Sequence, residues 1–174
     1  MLKNQAQSLP KVLVSGCLLG QPVRYDGGHK LAHHPVLQGW LANGQVIGLC
    51  PETAGGLPTP RLPAELVGGP ATAVLLGQAQ VRDSAGNDVS AAFVQGAQLA
   101  LQLVQQHGIQ VAVLKEGSPS CGSGQVYDGQ FAGQLIAGDG VTCALLRQAG
   151  VQVFGEQDWQ AAALQLQQLT SPSL

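Results

Sequence analysis

Three short apolar runs in this chain each end in a cysteine. Lys11 to Ser15 runs into Gly16-Cys17, Gln45 to Leu49 runs into Cys50-Pro51-Glu52, and Ile109 to Leu114 runs into Lys115-Glu116-Gly117-Ser118-Pro119-Ser120-Cys121-Gly122. Runs of this length, rich in β-branched residues, read as buried strands. Each breaks into Gly, Ser or Pro, so the chain leaves the strand at its C-terminal end. In an open α/β sheet that edge is where sites are built. Three strands therefore each deliver one thiol to the same kind of place.

The remaining pattern fits that sheet. His34 or Pro35 to Ala42 reads as a short helix stopped by Asn43-Gly44, and Asp88 as the N-cap of the longest helix, Val89 to Gln106, with Phe93, Ala97, Ala100, Leu101 and Val104 as its apolar stripe. Val141 to Gln148 reads as a helix stopped by Gly150, Val151 to Phe154 as a fourth strand, and Gln157 to Leu169 as a final helix. Pro51 to Pro70, dense in proline and glycine, reads as an irregular functional loop, with Ala73 to Leu76 and Gln80 to Arg82 as a small hairpin joined near Gly77. Gly122 to Gly140 is a second glycine-rich stretch. Strands alternating with helices imply an α/β fold, Rossmann-like, with a mainly parallel sheet of about four strands and helices on both faces. Right-handed crossovers then put every strand C-terminus at one edge. Residues 1–10 are expected to form a flexible tail, and 11–170 a single domain.

Composition narrows the function. Eight Lys and Arg against ten Asp and Glu give a net charge of −2 with no basic run, which disfavours a large nucleic-acid partner and favours a small molecule. Four of those cations, Arg24, Lys30, Arg61 and Lys115, lie in or near the cysteine-bearing segments. Met1 to Pro10 lacks an apolar signal region and no run reaches membrane-span length, so the expected location is the cytoplasm. There, thiols are more often buried, catalytic or metal-bound than paired in disulfides.

Cys17, Cys50 and Cys121 have none of the close spacing of zinc ribbons or ferredoxins. Position alone leaves two readings open: a metal or cluster site, or two buried thiols beside one catalytic cysteine. Cys143, inside the helical run Val141 to Leu146, reads as a packing residue. No histidine is an obvious fourth ligand, since His29, His33, His34 and His107 all sit at helix edges or caps. Three thiolates without a fourth side chain leave a coordination position open, as catalytic metal sites do. Glu52, tethered to Cys50 through Pro51, is a candidate general base, and Ser118 is either a turn residue or a hydroxyl aimed at substrate. Arg24 and Arg61 are surface charges or partners of the site, and Tyr127-Asp128-Gly129 echoes Tyr25-Asp26-Gly27 as a turn.

Taken in order, Val-Ser-Gly-Cys17-Leu-Leu-Gly, Arg24-Tyr25-Asp26-Gly27, Cys50-Pro51-Glu52, Gly55-Gly56-Leu57-Pro58-Thr59-Pro60-Arg61, Leu114 to Gly122 and Tyr127-Asp128-Gly129 resemble the thiouracil desulfurases, small bacterial proteins. The resemblance runs from about Lys11 to Glu156. It implies a 4Fe-4S cluster held by Cys17, Cys50 and Cys121 with one iron open, catalytic Glu52 and Ser118, and a thiolated pyrimidine as substrate, with Arg24 and Arg61 as substrate-binding residues. The implied reaction is non-redox: an iron acts as Lewis acid toward the thiocarbonyl, Glu52 activates water, Ser118 hydrogen-bonds the reacting group, and uracil and hydrogen sulfide leave. Two other classes stay in view. One is a cluster-free hydrolase or transferase with Cys121 as nucleophile, and the other a non-catalytic iron-sulfur sensor.

Overall fold

The structure is a computed structural model, and it describes residues 8–170; Met1–Gln7 of the expected tail lie outside the described residues. Four strands, β1 (Val12–Ser15), β2 (Val46–Leu49), β5 (Val111–Leu114) and β8 (Gln152–Gly155), form a sheet in the order β2-β1-β5-β8. All three pairings are parallel, with Val12 opposite both Val46 and Val111, and Val111 opposite Gln152. The order reverses between β1 and β5, because the chain runs from β1 outward to β2 and then returns to the other side of β1. At such a switch point the two connections leave in opposite directions and open a crevice beyond the strand C-termini.

The period of two along the central strands makes this a three-layer molecule. Val12, Val14, Val111 and Val113 face α1 (Pro35–Ala42) and α6 (Trp159–Thr170), meeting Leu37, Trp40, Trp159, Ala162 and Leu166. Leu13, Ala112 and Leu114 face the opposite layer, α4 (Ser90–His107) and α5 (Val141–Gln148), where Ala100, Val104, Cys143 and Leu146 fill the core. Both central strands are buried at every position, as a parallel sheet covered on two faces requires. Among the described residues no helix is long and apolar enough to cross a membrane.

Three segments differ from the sequence expectations. Within Pro51 to Pro70 the chain forms a four-residue helix, α2 (Pro51–Ala54), and a strand, β3 (Ala64–Val67), elements too short to display a period. Ala71 to Leu75 is a helix, α3, not a hairpin arm: Pro70 caps its start and Ala71 and Val74 share its buried face. The true partner of β4 (Gln80–Asp83) is β3, antiparallel, with Leu66 opposite Val81. The glycine-rich stretch after Cys121 contains a second antiparallel pair, β6 (Ser123–Tyr127) and β7 (Leu135–Asp139). Its alternation was hidden because the ribbon buries essentially one apolar side chain, Val126, against β3, β4, α4 and α5. Asp88 does tie down the start of α4, its Oδ1 accepting from the Ser90 amide at 2.9 Å, one residue outside the Val89 cap position.

Candidate active site

The crevice beyond the switch point is a cavity of about 430 Å³, and Cys17, Cys50 and Cys121 all line it. Cys17 lies in a single 3-10 turn, Gly16–Leu19, directly after β1, while Cys50 is the residue that caps α2 after β2. Cys121 ends the loop after β5. The last residue of β1 joins two of these segments: Ser15 Oγ accepts from the Lys115 amide at 2.9 Å, and the Ser15 hydroxyl bonds the Cys121 sulfur. All four cysteines are free thiols.

Burial pushes the Cys17 thiol up to about 11, with the neighbouring Cys50 adding to the rise. Cys121 is driven well above the ordinary thiol value, first by burial and then by Cys50, Cys17 and Glu52, with the Ser15 bond opposing. Burial opposes ionisation of Cys17 and Cys121, and a bound metal would supply the positive charge that favours their thiolates. Soft thiolate donors select iron-sulfur clusters, zinc or copper(I). Among the described residues no three His, Cys, Asp or Glu side chains converge closely enough to hold one metal ion. No histidine lines the cavity: His34 caps α1 and stacks on Trp159 at 5.9 Å, and His29 accepts from the Leu31 amide. Cys143 lies in α5 within the core, pushed up to about 12 by burial and by Asp139.

Glu52 stands beside the thiols on α2, whose position is set by backbone contact with α4. A Cβ on Gly96 would lie 1.9 Å from the Pro51 carbonyl oxygen, and one on Gly55 would lie 2.0 Å from that of Ala92, so only glycine permits this approach. Each Glu52 oxygen has one partner: Arg61 Nε donates to Oε1 at 3.2 Å and Ser118 Oγ donates to Oε2 at 3.3 Å. The Ser118 oxygen also accepts from the amides of Ser120 and Cys121, at 3.0 and 3.1 Å. With both acceptor positions filled, its one proton is directed at Glu52. Arg61 is nearly buried and donates as well to the carbonyls of Pro58 and Val23 and to Thr59 Oγ1. Its guanidinium is thus engaged by protein groups and fixes Glu52. Arg24 lines the cavity too, paired with Asp26 at 3.6 Å and lying over the Tyr25 ring at 5.6 Å.

Opposite the thiols stands a wall that the sequence reading did not anticipate. Glu116 accepts from the amides of Ser123 and Gln125 at 2.9 and 3.0 Å and from Ser123 Oγ at 3.0 Å, tying β6 to the loop after β5. Glu65, on β3, accepts from the amides of Gly129 and Phe131. Gly129 presses on β3 so closely that a Cβ would sit 2.4 Å from the Leu66 carbonyl oxygen. Phe131 has φ 55°, the one left-handed non-glycine among the described residues, a conformation costing an L-residue roughly 1–2 kcal/mol. Its ring and both tyrosines, Tyr25 and Tyr127, line the cavity while remaining about two-fifths exposed. The signals are faint: Glu65 is a lone acid in the apolar run Ala64 to Val67, and Tyr127-Asp128-Gly129 reads as a turn and as part of the family resemblance, with no role attached to its residues.

The family model described as 2-thiouracil desulfurase matches residues 12–158. The chain belongs to the 2-thiouracil desulfurase family. Among curated relatives, the uncharacterised protein YbbK of Bacillus subtilis strain 168 is 41% identical over 147 residues, covering 84% of this chain and 96% of YbbK. A solved structure titled [4Fe-4S]-dependent thiouracil desulfidase TudS is 50% identical, superposes with a TM-score of 0.84, and the match covers 91% of this chain and 99% of TudS. In this desulfurase the matched span includes all three cavity thiols, Glu52, Arg61 and Ser118, and it ends at Asp158, just before α6.

Proposed function

We propose that this protein hydrolyses the thiocarbonyl of a thiolated uracil, with a 4Fe-4S cluster held by Cys17, Cys50 and Cys121 and one iron left free of protein ligands. The observation that carries this reading is the meeting of three free thiols, from three neighbouring strand ends, with Glu52 and Ser118 in one cavity. The 50% identity to TudS, named for its cluster and its thiouracil activity, supports it. When bound, the cluster supplies a Lewis acid that is soft enough to polarise a thiocarbonyl sulfur.

The protein's own residues do the rest. Glu52, with one oxygen held by Arg61 and the other by Ser118, keeps a fixed carboxylate to orient water and accept its proton. Arg61 acts through Glu52 in this scheme, and Arg24, a cation on the cavity wall, is assigned to binding the exocyclic oxygen of the substrate. Ser118 sets the direction of Glu52, and the proton that Glu52 takes from water is the one it returns to the departing sulfur. Water adds its oxygen to the ring carbon, the carbon-sulfur bond breaks, and the products are uracil and hydrogen sulfide, so no electrons are exchanged. Free thiols and an oxygen-sensitive cluster suit a reducing compartment, which favours the cytoplasm. The neutral, deeply buried Cys121 thiol is a poor nucleophile, which argues against the cluster-free alternative.

Metal analysis with turnover tests the reading. Anaerobically prepared protein should hold about four iron and four acid-labile sulfide per chain, and release sulfide from 2- or 4-thiouracil. Glu52→Gln should keep the iron and lower turnover by about 10²- to 10⁴-fold. Protein that takes up no iron even after reconstitution would remove the proposal.

A further inference from the structure

We propose that Glu65 and Phe131 are the substrate-recognition residues of the cavity: Glu65 accepts a hydrogen bond from a ring N–H of the pyrimidine, and the Phe131 ring stacks on its face. The inference rests on the thiouracil reading above.

Glu65 is 8% exposed and lines the cavity. One oxygen, Oε1, takes both backbone bonds, from Gly129 at 2.9 Å and from Phe131 at 3.2 Å. The other, Oε2, has no partner among the described residues, yet no buried side-chain oxygen there is left without one. Oε2 therefore faces open space, and the space beside Glu65 is the cavity. A carboxylate oxygen is an acceptor only, and a thiolated uracil offers N–H donors on the two ring nitrogens flanking its C2 carbon. None of the cavity cations pairs with Glu65; Arg24, Arg61 and Lys115 go to Asp26, Glu52 and Glu156.

The same carboxylate sets the aromatic wall. Its bond to the Phe131 amide holds that residue in the left-handed region, where a bulky side chain is an outlier. Strain of this kind persists only where surrounding structure enforces it, and it concentrates at ligand sites. Here the strained residue is one that lines the cavity. Aromatic side chains at 38–41% exposure around one cavity, Tyr25, Tyr127 and Phe131, form a stacking surface for a flat heterocycle.

The test uses cluster-loaded enzyme with 2-thiouracil and its N1-methyl and N3-methyl derivatives. In the unmutated protein, one of the two methyl derivatives should lose about 10- to 100-fold in kcat/KM, the worth of a hydrogen bond to a charged acceptor. Glu65→Gln should lose on the parent base and not on that derivative, so the two converge. Phe131→Ala should raise KM about 5- to 100-fold with kcat nearly unchanged, the pattern of lost stacking. Calorimetric binding of uracil to the same holoproteins should follow the same ranking without turnover. Normal turnover with equal use of both methyl derivatives, or with unchanged KM in Phe131→Ala, overturns the recognition proposal and leaves the desulfurase reading intact. Base binding that follows the ranking without sulfide release does the reverse. Failure of the unmutated holoprotein to bind or turn over any of these bases overturns both.

Discussion

The two walls of the cavity are held in place by different means. The thiol wall consists of strand ends: Cys17, Cys50 and Cys121 follow β1, β2 and β5, which hydrogen-bond to one another and, in β1 and β5, are buried on both faces. The facing wall consists of the ribbons β3–β4 and β6–β7, packed on the core through Leu66, Val81 and Val126, with two carboxylates, Glu65 on β3 and Glu116 on the Cys121 loop, accepting its backbone amides. A core-built wall gives thiols that cannot relax independently, which a rigid cluster needs. The ribbon wall carries the half-exposed rings of Tyr127 and Phe131 on a frame tied by those carboxylates. The division assigns chemistry to the first wall and selection to the second.

Loss of the thiol wall should be the largest effect. Cys50→Ser should abolish iron retention and reduce sulfide release to background, measured as iron per chain and as product formed. Retention of a full iron complement would show that Cys50 is not needed as a ligand and would break the comparison at its start. A smaller loss is expected across the cavity. Glu116→Ala leaves amides of the β6 segment without their acceptor and should lower stability by about 1–3 kcal/mol in denaturant melts, while iron content stays near that of the unmutated protein. Loss of iron in this variant would mean that the walls are one mechanical unit.

The same division explains what could be read from the sequence. The parallel sheet, its four strands, α1 and α5 are legible because central strands and their crossover helices bury regular apolar patterns, as Val12 to Val14 and Val111 to Leu114 do. Cys17, Cys50 and Glu52 are legible because each stands one to three residues past such a run, and Cys121 because it lies in the Gly-, Ser- and Pro-containing loop that follows one. Glu65 is not, since its function depends on amides 64 and 66 residues away. Nor is the pairing of β3 with β4, or of β6 with β7: these strands are four or five residues long, too short to display a period, and β6 and β7 are largely exposed, so burial imposes little pattern on that ribbon. Local signals identified the residues that do chemistry, and only the fold identified those that face them.

Thiols in the wall and in the core should also part company as pH rises. In cluster-free protein Cys17 keeps its proton to about 11 and Cys143 to about 12, against 9.0 for an ordinary thiol. Above pH 9 the unfolded chain gains by ionising these groups and the folded chain does not, so stability falls with pH, through about 11 for Cys17 and about 12 for Cys143. Cys143→Ala should make that decline shallower in both forms of the protein. Cluster loading should remove the contributions of Cys17 and Cys121 and leave that of Cys143, because a metal-bound thiol is already deprotonated. Equal pH dependence in Cys143→Ala and unmutated protein, from melts between pH 8 and 11, would show that the core thiol does not titrate with folding.

The smallest expected effect isolates the strain in the recognition wall. Phe131→Gly and Phe131→Ala both remove the ring, so they lose the same stacking and the same apolar contact. They differ in one respect: alanine keeps a Cβ at φ 55° and glycine does not. At ordinary positions glycine is the less stable of the two, because it has more backbone freedom to lose on folding. Here the order should reverse, with Phe131→Gly melting about 2–4 °C above Phe131→Ala, the shift that roughly 1 kcal/mol gives in a protein of this size. If the usual order holds, the left-handed conformation at residue 131 carries no cost, and the ring's aim into the cavity follows from the loop's own preference without being imposed by Glu65 and Gly129. If the order reverses, the molecule gives up stability at this loop to keep an aromatic face opposite its thiols.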